Sequence, residues 1–195
     1  GGGAASIAGP LAAAYGVGKL GQEGIDYFGA PGSFGTKQIN KEQENAVKEL
    51  EKYKTETGKS ISLYGLKKEY TLVIFWDPLC GHCKETLPKI DSVYQLRWKS
   101  QGLGVYAVAK ENEGTRKDWL SFIRDKNLGH WSHVYYSKEA EKERVSNNVP
   151  GYSQLYDVQS FPTLYLLDKD KRIVAKKLSF EQIDEILQLK LKEKK

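Results

Sequence analysis

From residue 60 onward the apolar positions fall into runs that switch between a period of two and a period near 3.6. Tyr70 to Trp76 is almost uninterruptedly β-branched or aromatic, which predicts a strand buried on both faces. Asp77-Pro78 breaks that run, and a helical pattern from Cys80 to Lys99 follows, with Leu87, Ile90, Val93, Tyr94 and Arg97 alternating at three and four. Leu103 to Ala109 predicts a second buried strand. Thr115 then sits where a cap would open a helix from Arg116 to Asn127, with Trp119, Leu120, Phe122 and Ile123 inside and Gly129 as its stop. Trp131 to Tyr136 reads as a short extended piece and Ser137 to Asn148 as a charged surface helix or loop. After the break at Asn147 to Gly151, a helical turn passes through Leu155 and Tyr156. Thr163 to Leu167 and Arg172 to Lys177 alternate and are joined as a hairpin by Asp168 to Lys171. Phe180 to Lys192 closes the chain as an amphipathic helix with Ile183, Ile186, Leu187 and Leu191 on one face. Strand, helix, strand, helix, hairpin and helix predict an α/β domain with one mixed sheet.

The first 59 residues are different material. More than half of the chain's 19 glycines fall before residue 36, and GGGAAS reads as a linker or cloning remnant. Residues 1–36 are therefore expected to form a Gly/Ala-rich extension. Residues 37–59 are expected to be a polar helical lead-in, with Asn40 as cap for a helix to Thr57 carrying Ala46, Val47, Leu50 and Tyr53 as a narrow apolar stripe. Gly58 stops it, and Ser60 to Leu66 reads as a short strand and turn. The folded domain is expected over residues 60–195.

Composition changes this picture little. A net charge of +5 with acids and bases interspersed gives no footprint for nucleic acid. No apolar run reaches the ~18 residues of a membrane span, and the N-terminus lacks the pattern of a signal peptide. With no initiator Met, the chain is expected to be a processed or excised piece whose export signal, if it had one, lies outside it.

The chemistry is concentrated in YTLVIFWDPLCGHCKETLP, which holds the only two cysteines, Cys80 and Cys83. A thiol at a helix N-terminus faces unpaired backbone N–H groups and the positive end of the macrodipole, and both favour the thiolate. In C-x-x-C sites the thiol pKa falls from about 8.5 to roughly 3.5–7.5. Cys80 is thus expected to attack and Cys83, one turn on, to resolve. His82 between them would further favour the Cys80 anion when protonated, and Asp77 is the nearest carboxylate, either a general acid–base or a helix cap. Pro88 should bend the helix it interrupts. Competing readings are weaker. Zinc wants four ligands, and no second Cys or His pair stands at ligand spacing. Covalent haem would need His where Lys84 sits. A structural disulfide at this spacing closes almost no loop. His130 and His133, flanking Trp131, form no metal set and read as surface residues.

Trp76, the CGHCK sequence at Cys80 to Lys84, Pro88 and the later Phe161-Pro162-Thr163 together resemble the thioredoxin superfamily. The resemblance is strongest to its TlpA-like envelope branch, in forms common in Bacteroidetes. It is carried by ISLYGLKKEYTLVIFWDPLCGHCKETLPKI and VQSFPTLYLLDKDKRIVAKKL, and spans Ser60 to Leu189. It implies a thioredoxin fold and thiol–disulfide oxidoreductase activity, with no cofactor or metal beyond the dithiol itself. It also implies a cis peptide before Pro162, facing the cysteines, with Phe161 and Pro162 binding an extended substrate segment. Trp76, two residues before Pro78, is expected to pack beside the cysteines and limit access to Cys83, to be plain core, or both. The implied partners are protein disulfide substrates and a membrane thiol donor, the implied form a monomer, and the implied location the periplasm or cell envelope.

The chain departs from the family at two places. Ile74 stands where thioredoxins bury an Asp, and Thr86, with Glu85 beside it, stands where TlpA-like reductases often place a Glu. The proton-transfer residue is therefore open among Asp77, Glu85 and Glu111. The direction of exchange is open as well, between reductant and the oxidase or isomerase suggested by Gly81-His82. Two further readings are a thiol peroxidase, disfavoured because Asp77 occupies the place of its Thr, and a binding module with a vestigial C-x-x-C.

Overall fold

The computed structural model describes residues 63–195 apart from residue 113. The Gly-rich extension, the helix expected from Asn40 to Thr57 and the start of the Ser60 to Leu66 strand lie outside the described residues. Within them, Leu63 to Gly65 is the turn expected in that segment, closed by the Leu66 N–H on the Leu63 carbonyl.

The sheet has five strands: β1 (Tyr70–Trp76), β2 (Leu103–Lys110), β3 (Ser132–Tyr136), β4 (Thr163–Asp168) and β5 (Ile173–Lys176), in spatial order β3-β2-β1-β4-β5. β1 lies at the centre, parallel to β2 and antiparallel to β4. All seven of its residues are buried, because neighbours flank it on both edges and helices cover its faces. That is why its sequence is a continuous apolar run without alternation.

Among the described residues, six helical segments accompany the strands: α1 (Gly81–Val93), which continues as a π-helical turn (Tyr94–Trp98), α2 (Arg116–Asp125), α3 (Lys138–Ser146), the single turn α4 (Tyr152–Leu155) and α5 (Phe180–Glu193). Leu87 and Ile90 of α1, Trp119, Phe122 and Ile123 of α2, and Ile183, Ile186 and Leu187 of α5 enter one continuous core with the strands. Burial of each such side chain contributes about 1.5–3 kcal/mol.

The helix ends show how side chains override simple punctuation. α1 runs through Pro88 and widens only at Tyr94, where the Lys99 N–H reaches back five residues to the Tyr94 carbonyl. α2 ends before Gly129. Asn127, at φ 54°, takes the left-handed position, and Leu128 N–H returns to the Ile123 carbonyl in a Schellman closure. Asn148 closes α3 in the same way, while Ser137 opens it and a Ser179–Gln182 capping box opens α5.

Three expectations are corrected here. Thr115 holds the N-cap position of α2, its carbonyl accepting the Trp119 N–H, but its side chain makes no cap bond: its backbone is already helical and its hydroxyl is used elsewhere. Gly129 is not the stop. His133 is not at the surface: it is buried on β3, with Nε2–H donating to the Leu128 carbonyl at 2.8 Å. Its Nδ1 is buried without a partner, so a second proton there would be an unsatisfied charge, and burial lowers its pKa to about 4. His130 does lie at the edge, pairing with Asp91 at 2.6 Å and stacking on Tyr94.

On the far side of α1, the π-helical turn is fastened to α5. Trp98 Nε1–H donates to Asp184 at 2.7 Å, and Arg97 pairs with the same carboxylate. Burial alone would raise the Asp184 carboxyl, but hydrogen bonds from Arg97, Trp98 and Gln188 outweigh it and hold the group below the usual carboxylate range.

Candidate active site

The register brings the site together at the C-terminal end of β1. Phe75 lies opposite Thr163 of β4 on one side and opposite Val108 of β2 on the other. The residues just past β1 therefore meet those just before β4 and just after β2. Asp77 to Cys80 form the link into α1, closed by the Cys80 N–H on the Asp77 carbonyl at 3.0 Å.

Cys80 is the N-cap of α1. Its Sγ accepts the backbone N–H of Cys83 at 3.2 Å, so the sulfur occupies the position an N-cap oxygen ordinarily takes, against the first turn's free donors. The same sulfur is 3.6 Å from the carbonyl oxygen of Phe161, to which the thiol donates. The Phe161–Pro162 peptide bond is cis. Both cysteines are free thiols, but their surroundings differ: Cys80 is half-buried and Cys83 has no exposed surface. Burial pushes the Cys83 thiol well above its ordinary range. The Asp77 backbone N–H on its sulfur partly offsets this, while the Cys80 thiol and the Asp77 carboxylate push it further up.

Asp77 is itself almost buried, at 9% exposed. One carboxylate oxygen accepts the Leu79 N–H at 2.8 Å, closing an Asx turn, and the other accepts from the side-chain amide of Asn112. Asn112 comes from the loop after β2. Its backbone N–H donates to Thr115 Oγ1 at 3.0 Å, and Thr115 Oγ1 lies 3.1 Å from the Tyr135 hydroxyl on β3. This explains the missing cap, since the fully buried Thr115 hydroxyl locks the loop. Asn112 had no signal in the sequence, because nothing local says that a loop amide will meet a carboxylate 35 residues earlier.

Of the other residues singled out, His82 is exposed on the first turn of α1. It lines a cavity of about 430 Å³ with Thr86, Lys89, Pro162, Lys177 and Phe180, running between α1, the segment before β4 and the start of α5. Trp76 is fully buried with its ring 5.3 Å from that of Phe122, so it is part of the core behind the site. Glu111 faces away toward α3, accepting the Lys138 N–H, and Glu85 is exposed on α1. Among the described residues no cluster of three or more His, Cys, Asp or Glu could hold a metal, and no helix is long and apolar enough to cross a membrane.

A mixed sheet in this order, with a C-x-x-C at the mouth of the helix after the central strand, defines a thioredoxin fold carrying a dithiol. Residues 68–173 match the family described as thioredoxin-like, and the chain belongs to it, in the TlpA-like branch of the superfamily. It is similar to the thiol-disulfide oxidoreductase ResA of Bacillus cereus, 29% identical over 71% of this chain and 69% of the relative. Among solved structures it is similar to a domain of a possible thiol-disulfide isomerase from Cytophaga hutchinsonii, at 34% identity and TM-score 0.59 over 72% of this chain and 88% of that one. A thiol:disulfide interchange protein from Bacteroides sp. is similar at 26% identity and TM-score 0.56, over 70% of this chain and 82% of that one. The protein is a thiol–disulfide oxidoreductase of thioredoxin fold.

Proposed function

We propose that the protein is a reductant of protein disulfides in the cell envelope, working through the Cys80-Gly81-His82-Cys83 dithiol. The observation that carries this is the pairing of a half-buried sulfur at the helix mouth with a fully buried one a turn behind it. Cys80 attacks a substrate disulfide, one substrate sulfur leaves as a thiol, and a Cys80–substrate mixed disulfide forms. Cys83 then attacks the Cys80 sulfur, the Cys80–substrate bond breaks, and the second substrate thiol is released. The protein is left as the Cys80–Cys83 disulfide and the substrate has gained both electrons and both protons.

Because Cys83 is held protonated by burial, its attack needs a base; Asp77, almost buried and acting on the Cys83 thiol through its charge, supports the reading that its carboxylate takes that proton. His82 at the rim favours the Cys80 anion when charged. The backbone of Phe161 and the ring of Pro162 would flank an extended substrate segment, paired as an added strand, with the cavity beside His82 receiving its side chains. No cofactor enters the cycle. Re-reduction would come from a thiol donor in the membrane, with the protein acting as a monomer. Residues 60–195 would form this domain, with 37–59 a lead-in and 1–36 an extension.

One observation favours oxidation or isomerisation instead. The Cys83 N–H on Cys80 and the neighbouring His82 stabilise the reduced pair, which raises its potential. Equilibration with glutathione decides: a value near the thioredoxin class, about −270 mV, supports the reductant, and one near the isomerase class, about −180 mV, supports the alternative. Insulin reduction abolished by Cys80→Ser is the expected result for either. A potential below that of any cellular donor, with no turnover and no effect of Cys80→Ser, would leave only a binding module. Cys83→Ser should trap the substrate as a mixed disulfide.

A further inference from the structure

We propose that Asn112 is a positioning residue for the resolving step: its amide, locked into the loop after β2, fixes the orientation of the Asp77 carboxylate in the turn that leads into the dithiol helix. The inference rests on the reading above, in which Asp77 accepts the Cys83 proton.

Asp77 lies in the turn between β1 and α1, a segment with no ladder of its own to hold a side chain. Its Oδ1 is fixed locally by Leu79 N–H, a bond that alone leaves Oδ2 free to rotate into solvent or inward. The Asn112 amide decides this by donating to Oδ2. An amide is suited to the task because it orients a carboxylate without neutralising it, whereas Lys or Arg at this place would pair with the anion and weaken it as a base. The amide is in turn held from behind. Asn112 N–H reaches Thr115 Oγ1, the Thr115 N–H and hydroxyl both return to the Asn112 carbonyl, and the hydroxyl also meets Tyr135 on β3. Asp77, Asn112, Thr115 and Tyr135 thus tie the catalytic turn to the edge of the sheet through four side chains, three of them at least nine-tenths buried.

The groups facing this chain are Cys80 and Cys83 on α1, Asp77 in the turn, and Tyr135 on β3, itself acted on by Glu111 and Arg116. Of these, Asp77 and Cys83 exchange the proton in the resolving step. That proton leaves Cys83 Sγ for the Asp77 carboxylate as the Cys80–Cys83 bond forms and the Cys80–substrate bond breaks, and it then passes to solvent. Electrons move only between sulfurs.

The two half-reactions can be separated with 5,5′-dithiobis(2-nitrobenzoate). The full chain releases one thionitrobenzoate as Cys80 attacks and a second as Cys83 resolves, and this leaving group needs no proton. Stopped-flow rates of both phases are measured near neutrality. Asp77→Asn is expected to slow the second phase by roughly 10²-fold. Asn112→Ala should slow the second phase about tenfold and leave the first phase unchanged. In the Asp77→Asn background the same Asn112→Ala change should slow the second phase no further, because Asn112 acts through Asp77. Asn112→Ala that leaves the second phase at the wild-type rate, or slows it equally with and without Asp77, would overturn the role of Asn112 alone. No change in Asp77→Asn would overturn the underlying assignment of the base.

Discussion

The sulfur of Cys80 and the carbonyl oxygen of Phe161 lie 3.6 Å apart although 81 residues separate them in the chain. One belongs to the helix mouth after the central strand and the other to the segment before the neighbouring antiparallel strand. Their contact makes a single site of two distant phrases, and it leaves Cys80 as the sulfur at the surface.

The difference between the two thiols should be directly visible. Iodoacetamide at neutral pH is expected to modify Cys80 and spare Cys83, with a rate ratio of ~10² or more, because only the former has exposed surface. Mass spectrometry of peptides from the folded and the urea-unfolded protein reads this. Equal labelling in the folded state would contradict the burial of Cys83.

Burial of His133 predicts an acid-side loss of stability. Its folded pKa of about 4 lies below its ordinary 6.5, so between these values the unfolded chain binds the proton and the folded one does not. The contribution is therefore present above pH 6.5 and falls as pH drops toward 4, by up to roughly 3 kcal/mol. His133→Gln, which keeps a donor for the Leu128 carbonyl, should flatten this slope. Thermal melts of both proteins at pH 5 and pH 7.5 give the comparison, and parallel slopes would refute it.

Asp184→Ala should destabilise the fold by roughly 2–3 kcal/mol, since it strands the buried Trp98 indole N–H and releases Arg97. Asp184→Asn retains an acceptor and should cost about half as much. Because the Asp184 carboxyl is held below its ordinary range, its stabilisation is complete above that range and fades as pH falls through the lowered value. Urea midpoints at neutral and acid pH measure both effects.

At the C-terminus of α2, Asn127 holds φ 54°, a conformation that β-branched residues resist. Asn127→Gly should be neutral or slightly stabilising, whereas Asn127→Val should cost about 1–2 kcal/mol by chemical denaturation. Identical stabilities would show that the Schellman closure is unimportant.

Much of this was legible from residue order. Tyr70 to Trp76 announced a central strand because burial on both faces leaves no room for alternation, and the C-x-x-C after it was placed at a helix mouth by Asp77-Pro78 alone. The features that were not legible all depend on partners supplied by sheet register. Thr115 has the composition of a cap, yet Asn112 and Tyr135 claim its hydroxyl. His133 reads as a surface residue beside His130, but β3 is buried from His133 onward, while His130 stays in the exposed turn before the strand. The widening of α1 at Tyr94 had no marker in the sequence.

The pairing of Phe75 with Thr163 has a consequence for how such a protein can change. Slipping β4 by one residue against β1 would carry Phe161 about 3.3 Å along the strand axis and turn its neighbours to the opposite side of the sheet. The spacing between the Cys80 sulfur and the Phe161 backbone is thus quantised by the ladder, and loop substitutions cannot adjust it gradually. On the proposed reading, variation in what the enzyme accepts would come from the side chains around the cavity, while its reach stays constant.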